Sequence, residues 1–244
     1  TTNTAAADPA AFEIMKNALY KIAEEMRVVL CKTAYSPILK SAGDFSCGVF
    51  DASGDMVAQG PDLPIHLGSM PDAVRAIVKT FGDDVHQGDV FIHNDPYDGG
   101  SHLPDVTVVT PVFCTDQSSG PDFFVASRAH HAEIGGRTPG SMPPDASCLA
   151  EEGVVIRDFA LIRNGVSYES GLRRLLTAKP FPSRTPNENL ADVAAQQAAG
   201  IEGVNGLRRL VANYSVNTID ALMGRLLDVA GDSIGRWIRS LPAG

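Results

Sequence analysis

Long apolar runs are missing from this chain: no uninterrupted stretch approaches the roughly 20 residues that a bilayer-spanning helix needs. The amino terminus is small and polar, without the basic and then apolar pattern of a signal peptide, and we interpret residues 1–8 as a disordered arm. The 4 cysteines are isolated, with no C-x-x-C pair. These absences predict a cytoplasmic protein with free thiols and no membrane partner.

Basic residues are also few, at 20 Lys and Arg against 29 Asp and Glu, and the net charge is −9. They are dispersed apart from two doublets, Arg173-Arg174 and Arg208-Arg209. Because phosphate neutralisation needs clustered cations, a nucleic-acid partner is not expected. The chain has no G-x-x-x-x-G-K-[ST], no G-x-G-x-x-G after a strand and no G-x-S-x-G. If its reaction needs ATP, the nucleotide site lies on another chain.

The apolar residues that are present follow a helical period at both ends of the chain. Asp8-Pro9 is a helix start, and apolar residues recur from Phe12 to Val29 at steps of three and four, which predicts a helix to about Leu30. Helical spacing returns beyond Pro186. With 244 residues and 44% hydrophobic content, the chain is large enough for one large or two modest domains.

Between these helices the pattern changes to strands. Residues 46–51, 52–55 and 56–59 indicate a strand, a turn and a strand, and residues 89–93, 106–113 and 123–127 are further β-rich runs, with a helix opening at Pro71-Asp72. The predicted fold class is α+β: a mixed β region with a metal site on strand-edge loops, framed by N-terminal and C-terminal helices. We divide it into an α+β region at 9–180 and a helical region at 181–244.

Imidazoles and carboxylates are concentrated on two glycine-flanked segments. His102-Leu103-Pro104-Asp105 ends the first, and Ala129-His130-His131-Ala132-Glu133 begins the second. If the two segments meet, they form a mixed N/O ligand set for a divalent metal. Alone, a His-x-x-Asp step is more often a surface or capping pair.

The adjacent histidines cannot share one role. On an extended segment neighbouring side chains point to opposite faces, so at most one of His130 and His131 reaches a metal, and the other bonds a neighbour or meets substrate. Two ordinary buried histidines are the alternative. Glu133 is open between a ligand, a partner of an imidazole and a base. From spacing alone Asp44 is a turn residue, and His66, between apolar neighbours, is a core or supporting histidine.

A family resemblance rests on four segments together: Asp44-Phe45-Ser46-Cys47-Gly48-Val49-Phe50-Asp51, His66-Leu67-Gly68-Ser69-Met70, the stretch from Asn94-Asp95-Pro96-Tyr97 to His102-Leu103-Pro104-Asp105, and His130-His131-Ala132-Glu133-Ile134-Gly135-Gly136. They resemble the hydantoinase B/oxoprolinase family, the B-type subunits of ATP-dependent hydantoinases, 5-oxoprolinases and lactamases. That family is related to the large subunits of acetone and acetophenone carboxylases. The resemblance runs from about residue 9 to about residue 230.

The resemblance implies a metal site and a partner. It assigns the ion to Asp44, His102, Asp105 and His130, with His131 as the fallback for His130. Zinc is the expected ion, with iron or manganese as alternatives. Glu133, where the family more often has Asp, and the unused histidine His131 are candidate proton carriers. ATP is expected on an A-type partner subunit that phosphorylates the amide or ketone oxygen.

The predicted function is therefore a metal-dependent subunit of an ATP-dependent amidohydrolase that opens a cyclic amide, either a hydantoin, 5-oxoproline or a lactam. The alternatives are a subunit of an ATP-dependent ketone carboxylase and a non-catalytic structural subunit. Family members usually run to more than twice this length. The chain is thus expected to be truncated, or to work with a separate chain that supplies the missing C-terminal half. In either case it is predicted to act in a hetero-oligomer.

Overall fold

Seven strands, all antiparallel to their neighbours, form one sheet in the order β2-β1-β5-β4-β3-β6-β7 in the computed structural model, which describes residues 8–115 and 119–241. Residues 1–7 of the predicted arm lie outside the described residues. The elements in chain order are α1 (Pro9–Thr33), α2 (Pro37–Lys40), β1 (Phe45–Asp51), β2 (Met56–Gln59), α3 (Pro64–Leu67), α4 (Met70–Phe81), β3 (Val90–His93), β4 (Asp105–Val112), β5 (Phe123–His130), α5 (Leu149–Glu152), β6 (Phe159–Arg163), β7 (Val166–Ser167), α6 (Glu169–Leu176), α7 (Pro186–Tyr214) and α8 (Val216–Ser240). The predicted α+β class is confirmed.

Helix α1 begins as the sequence indicates. The Asp8 carboxylate accepts a hydrogen bond from the Ala10 amide at 3.0 Å, and Pro9 occupies the first helical position, where its missing N–H costs nothing. The helix ends at Thr33, a turn beyond the predicted end near Leu30, and Lys32 lies in its last turn, where a cation offsets the helix dipole.

Helices cover the two faces of the sheet unequally. The long helices α1 and α7 pack against each other; α1 also packs against β1 and β2, and α7 against β4 and β5. Helix α8 contacts both helices and β2. One large apolar core lies between them and the sheet, and a second lies under the first turns of α7. On the other face α4 lies over a smaller core around Phe50, Phe91 and Phe124, and the short helix α3 lies beside it. Helix α7 contributes side chains to the same apolar cores as the strands. The predicted regions 9–180 and 181–244 therefore pack around shared cores.

Side chains along β5 alternate between these two faces. In β5, Val125 and Ala129 enter the core beneath α1 and α7, whereas Phe124 and Ala126 enter the core beneath α4. Beyond the α4 core, the same face becomes polar. The cross-strand register places Arg128 beside Thr107 and Ser46, and His130 beside Asp105. A polar end of the sheet face is therefore left next to α3 and the start of α4.

Several elements differ from the sequence expectation. Strand β5 continues beyond the predicted end at Ser127 to His130, because the pairing with β1 and β4 extends that far. Strands β6 and β7 and helix α6 were not predicted. Across the described ranges, no helix combines the length and the apolarity that crossing a membrane requires.

Candidate metal centre

Three side chains converge at the polar end of the sheet face. One ligand atom from each of His102, Asp105 and His130 lies within 4.8 Å of the other two. His130 Nδ1 lies 3.0 Å from Asp105 Oδ1, and His102 Nδ1 lies 3.2 Å from Asp105 Oδ2. The two imidazoles are also in contact, with 3.1 Å between His102 Nε2 and His130 Nδ1.

The strand register explains this convergence. Asp105, the first residue of β4, pairs directly with His130, the last residue of β5, so their side chains leave the sheet on the same face. His102 reaches them through a tight turn in which the Asp105 amide donates to the His102 carbonyl at 3.0 Å. The segment before His102 is a closed loop, in which the Gly100 amide donates to the Asp95 carbonyl at 2.8 Å.

Two further residues border the cluster from other segments. His66, on α3, is buried, and its Nε2 lies 3.5 Å from Asp105 Oδ2. Asp44 immediately precedes β1, and its Oδ1 lies 3.8 Å from His66 Nε2. The Asp44 carbonyl also accepts from the His130 amide at 3.0 Å. Asp44 is thus at the edge of the site but outside the group of three whose ligand atoms lie within 4.8 Å of one another.

The surroundings of the cluster shift the pKa values of its side chains in different directions. Burial raises the pKa of the Asp105 carboxyl, but hydrogen bonds from His130 and Ser101 outweigh that effect and hold the pKa below its ordinary value. For His130, burial alone would lower the pKa, yet the hydrogen bond with Asp105 raises it above the ordinary value. At His102 and His66 burial dominates and lowers the pKa. Asp105 is therefore ionised, and two of the three imidazoles favour the neutral form.

This donor set fits a divalent transition metal. Metal ligation needs an ionised carboxylate and neutral imidazoles with free lone pairs, which are the protonation states that this environment favours at Asp105 and His102. The side chains of His102 and His130 are 32% and 18% exposed, so one side of the cluster faces solvent. An open side leaves a position for water or substrate, as at catalytic zinc sites. His66 and Ser101 would orient the ligands, since Ser101 Oγ donates to Asp105 Oδ2 at 2.6 Å.

His131, the residue after β5, points to the opposite face of the sheet, beneath α7. There Asn189 Nδ2 donates to its Nδ1 at 3.1 Å, and its Nε2 donates to Gln196 Oε1 at 3.3 Å. The ring is fully buried, with both nitrogens in hydrogen bonds. The structure does not bring His131 to the cluster, as the alternation along an extended strand requires.

Glu133 is likewise held away from the cluster. Its carboxylate accepts hydrogen bonds from the Gly135 amide at 2.7 Å and from Ser183 Oγ at 2.8 Å. The Arg184 amide and guanidinium each donate to it at 2.9 Å. Burial raises the pKa of Glu133, but these bonds outweigh it and lower the pKa. In this arrangement Glu133 joins the His131 segment to the start of α7, and a proton-carrier role remains a prediction without a contact to the cluster.

Sequence reasoning assigned no role to two residues beside the cluster, Ser101 and Arg128. Arg128 is fully buried on β5, and burial lowers its pKa to about 10, so its guanidinium is still charged at neutral pH. A usable signal was present: Arg128 stands two residues before His130, and residues at that spacing on a strand share a face.

Comparison with known proteins identifies the family of this chain. The profile of the family described as Hydantoinase B/oxoprolinase matches residues 8–244. The chain belongs to the hydantoinase B/oxoprolinase family. Relatives include 5-oxoprolinase 1 of Arabidopsis thaliana, 39% identical over 96% of this chain and 19% of that protein. Another is caprolactamase subunit beta of Pseudomonas jessenii, 33% identical over 97% of this chain and 40% of that subunit.

Solved structures show the same fold. The ATP-dependent caprolactamase of Pseudomonas jessenii superposes with a TM-score of 0.87 at 33% identity, over 97% of this chain and 40% of that one. A nucleotide-free acetone carboxylase superposes with a TM-score of 0.77 at 20% identity, over 91% of this chain and 29% of that one, which is a likeness of fold. This member of the hydantoinase B/oxoprolinase family thus spans less than half the length of each of these relatives.

Proposed function

We propose that this chain is the metal-dependent part of an ATP-dependent amidohydrolase that opens a cyclic amide. The observation that carries the proposal is the group His102, Asp105 and His130, whose ligand atoms lie within 4.8 Å of one another on an open side of the sheet. The names of the relatives support the reaction class, since they include 5-oxoprolinases and a caprolactamase subunit.

Each residue has a distinct part in the proposed site. Asp105, His102 and His130 would hold the ion, and Asp44, at the rim, would complete the ligand set. A divalent ion held there would supply Lewis-acid chemistry, which lowers the pKa of bound water and polarises a substrate bond. His66 orients Asp105 from the buried side, with its own Nδ1 2.9 Å from Ser46 Oγ. The exposed side of His102 is where the cyclic amide would approach.

The activity test is reconstitution with an A-type ATP-binding subunit. Hydantoin, 5-oxoproline and caprolactam are offered with ATP, and the ring-opened product is measured by mass spectrometry. We expect one cyclic amide to be opened in an ATP-dependent reaction. A carboxylated ketone formed only with bicarbonate would instead identify the carboxylase alternative.

Metal analysis separates an enzyme from a non-catalytic subunit. We expect near-stoichiometric zinc, iron or manganese in the purified protein, and a sharp fall in His102→Ala and Asp105→Ala variants. His86→Ala is the matched control, because His86 is a half-exposed histidine that faces Asp84 and Asp89 outside the cluster. A metal-free protein that supports full activity in the complex would favour the structural-subunit alternative.

A partner chain is part of the proposal, and helix α8 supports it. The apolar stripe of α8 begins in the core at Ile219 and Met223 and continues at helical spacing into the second half of the helix. There its members are half or more exposed, at Ile234, Trp237 and Ile238. A large exposed apolar patch of this kind marks an interaction surface in soluble proteins.

The partner contact is tested by co-purification with a tagged A-type subunit or with the remaining part of the family's subunit. Replacing Ile234 and Trp237 by Gln together is expected to reduce the recovered complex at least about tenfold, since buried aromatic anchors dominate interfaces. Ile14→Gln on α1, an equally exposed apolar residue at 60% exposure, should leave recovery unchanged. Equal recovery of all variants would show that α8 is not the contact.

A further inference from the structure

Arg128 is a buried cation without a carboxylate partner among the described residues. Its Nε donates to Thr107 Oγ1 at 2.8 Å, and its Nη1 donates to Ser69 Oγ. Its Nη2 lies 3.2 Å from the Gly99 carbonyl oxygen and 3.5 Å from that of Ser69. Taking a charged guanidinium out of water is unfavourable, and the attraction of the more distant Asp105 and Asp72 carboxylates offsets the loss of hydration only in part. A side chain that carries this cost has a role beyond filling space.

The guanidinium contacts two loop segments close to cluster histidines. Ser69 follows His66 by three residues, and its amide donates to the His66 carbonyl at 3.3 Å. Gly99 precedes His102 by three residues in the loop that leads into the turn before β4. The two segments come from distant parts of the sequence, and Arg128 bonds both.

The same guanidinium is also anchored on the strands that carry the other two cluster residues. Arg128 stands two residues before His130 on β5, and its partner Thr107 stands two residues after Asp105 on β4, so all four share one sheet face. Through these contacts, the Arg128 side chain connects the four segments that supply His66, His102, Asp105 and His130.

Close backbone contacts restrict the conformation of the segment around Gly99. Gly99 has φ +90°, and a Cβ there would stand 2.6 Å from the Ala73 backbone nitrogen. At Gly100 a Cβ would stand 2.6 Å from the Asp95 carbonyl oxygen. The loop is thus pressed against the start of α4 on one side, and Arg128 holds it to the sheet on the other.

We propose that Arg128 is a positioning residue of the candidate metal centre: its planar guanidinium ties the Ser69 and Gly99 segments to the sheet and so sets the His66 and His102 imidazoles beside Asp105. This inference rests on the proposed function, because it assumes that the cluster holds an ion. A planar fork with five donors reaches Thr107, Ser69 and Gly99 at once, whereas the compact ammonium of a lysine does not.

The test compares Arg128→Gln and Arg128→Lys with Arg208→Gln in the full chain. Arg208 is the matched control, a partly buried arginine whose Nε donates to the Phe113 carbonyl at 2.9 Å away from the cluster. Zinc affinity is measured by competition with a chromophoric chelator. Both Arg128 variants are expected to bind zinc about 10–100-fold more weakly, as when a residue that orients metal ligands is lost, and Arg208→Gln is expected to bind normally.

A metal-free measurement separates positioning from general damage. Amide hydrogen exchange is followed by mass spectrometry in the absence of any ion. In both Arg128 variants we expect faster exchange in residues 98–105 while residues 106–112 of β4 keep their protection. If exchange rises equally throughout β4 and β5, Arg128 is a general stabiliser and the proposal is wrong.

The remaining outcomes are also decisive. Normal zinc affinity and normal exchange in Arg128→Lys would show that charge without the planar fork is enough, which would overturn the positioning role. If Arg128→Gln does not fold, Arg128→Lys carries the test. If the unmodified protein binds no zinc, iron or manganese, the proposed function fails, while the exchange experiment still decides whether Arg128 fixes the loop.

Discussion

His130, the last residue of β5, and His131, the residue after it, have different surroundings. His130 faces Asp105 at 3.0 Å, whereas His131 is enclosed by Asn189 and Gln196 beneath α7. We therefore predict that His130→Ala loses metal and, compared with the unmodified chain in the absence of metal, loses little stability. His131→Ala should keep its metal and lose about 1–3 kcal/mol of unfolding free energy, because buried amides are left unpaired.

Chelator competition and urea unfolding of both variants check this pair. Gln196→Ala is a useful companion, since it removes a partner of His131 and should lower stability without affecting metal content. Loss of metal in His131→Ala, in which His130 is unchanged, would show that His131 is the ligand, as in the fallback assignment.

The three cluster imidazoles are expected to titrate in a fixed order in the metal-free protein. The hydrogen bond with Asp105 raises the pKa of His130, while burial lowers the pKa of His102 and His66. In a histidine NMR titration, His130 should lose its proton at higher pH than a free imidazole, and the other two at lower pH. An inverted order of His130 and His102 would contradict the cluster geometry.

The same shifts set the pH dependence of stability with opposite signs. The contribution of His130 is complete below the ordinary histidine pKa and is lost as pH rises through the raised value. The contributions of His102 and His66 are present above the ordinary pKa and are lost as pH falls through the lowered values. Replacing Asp105 with Asn should remove the His130 contribution and bring its pKa down, which the titration measures directly.

At the residue scale, the sequence shows which side chains could bind a metal better than it shows which residues contact one another. The His-x-x-Asp step and the histidine pair are visible as patterns, and alternation along a strand correctly limits the pair to one residue per face. Arg128 is part of no recognisable motif, and an isolated arginine in a β-rich run is typically solvent-exposed, so its burial was not predicted. Its burial depends on Ser69 and Gly99, which are far away in the sequence.

Close packing of α1 against α7 depends on glycines in α7. A Cβ at Gly206 would stand 2.8 Å from Ile22 Cγ1, and the β-branched side chain of Ile22 has little freedom to move away. We predict that Gly206→Ala lowers stability by about 1–2 kcal/mol, since overpacking outweighs the gain in helix propensity. Thermal unfolding of the two proteins checks this.

Gly224 on α8 is the matched control for that substitution. Nothing lies within 4 Å of a Cβ at this position, and the residue is exposed. Gly224→Ala should therefore raise stability by up to about 1 kcal/mol, the ordinary advantage of alanine in a helix. A stabilising effect of Gly206→Ala would mean that the helices can separate at no cost.

Element prediction succeeded where periodicity is strong and failed where it is weak. The hairpin of β1 and β2 and the long helix α1 have clear turn chemistry and spacing. Strand β6 lies near the sheet edge, and its apolar run spans only residues 159–162. A run that short does not distinguish a strand from a buried helix segment. Helix α6 spans 8 residues, too few for the spacing of its buried Leu172 and Leu176 to stand out.

At the scale of the whole molecule, the candidate metal centre lies where distant segments of one sheet face meet. Helices α1 and α7 bury the other face, and α4 covers part of this one, while the end bordered by α3 and the loop before His102 is polar. The family resemblance brings these segments together as motifs, but only the order β1-β5-β4 of the sheet explains why they are neighbours.

An ion at this position would link β4, β5 and the loop before them, so metal binding and global stability must be coupled. Zinc that binds only the folded state, at a free concentration of 100 times its dissociation constant, adds about 2.7 kcal/mol of unfolding free energy. We predict a corresponding rise in the unfolding temperature of the metal-free protein on adding zinc. Asp105→Asn should abolish the rise, because Asp105 contacts both His102 and His130.

Calorimetry with and without zinc measures this coupling, and His86→Ala is the control that should respond as the unmodified chain does. The size of the rise depends on geometry as well as on ligand number. If Arg128 positions the loop, Arg128→Lys should show a smaller rise at the same zinc concentration, because weaker binding adds less free energy to the folded state. A rise in Asp105→Asn equal to that of the unmodified protein would locate zinc elsewhere in the chain and remove the physical basis for a centre at this end of the sheet.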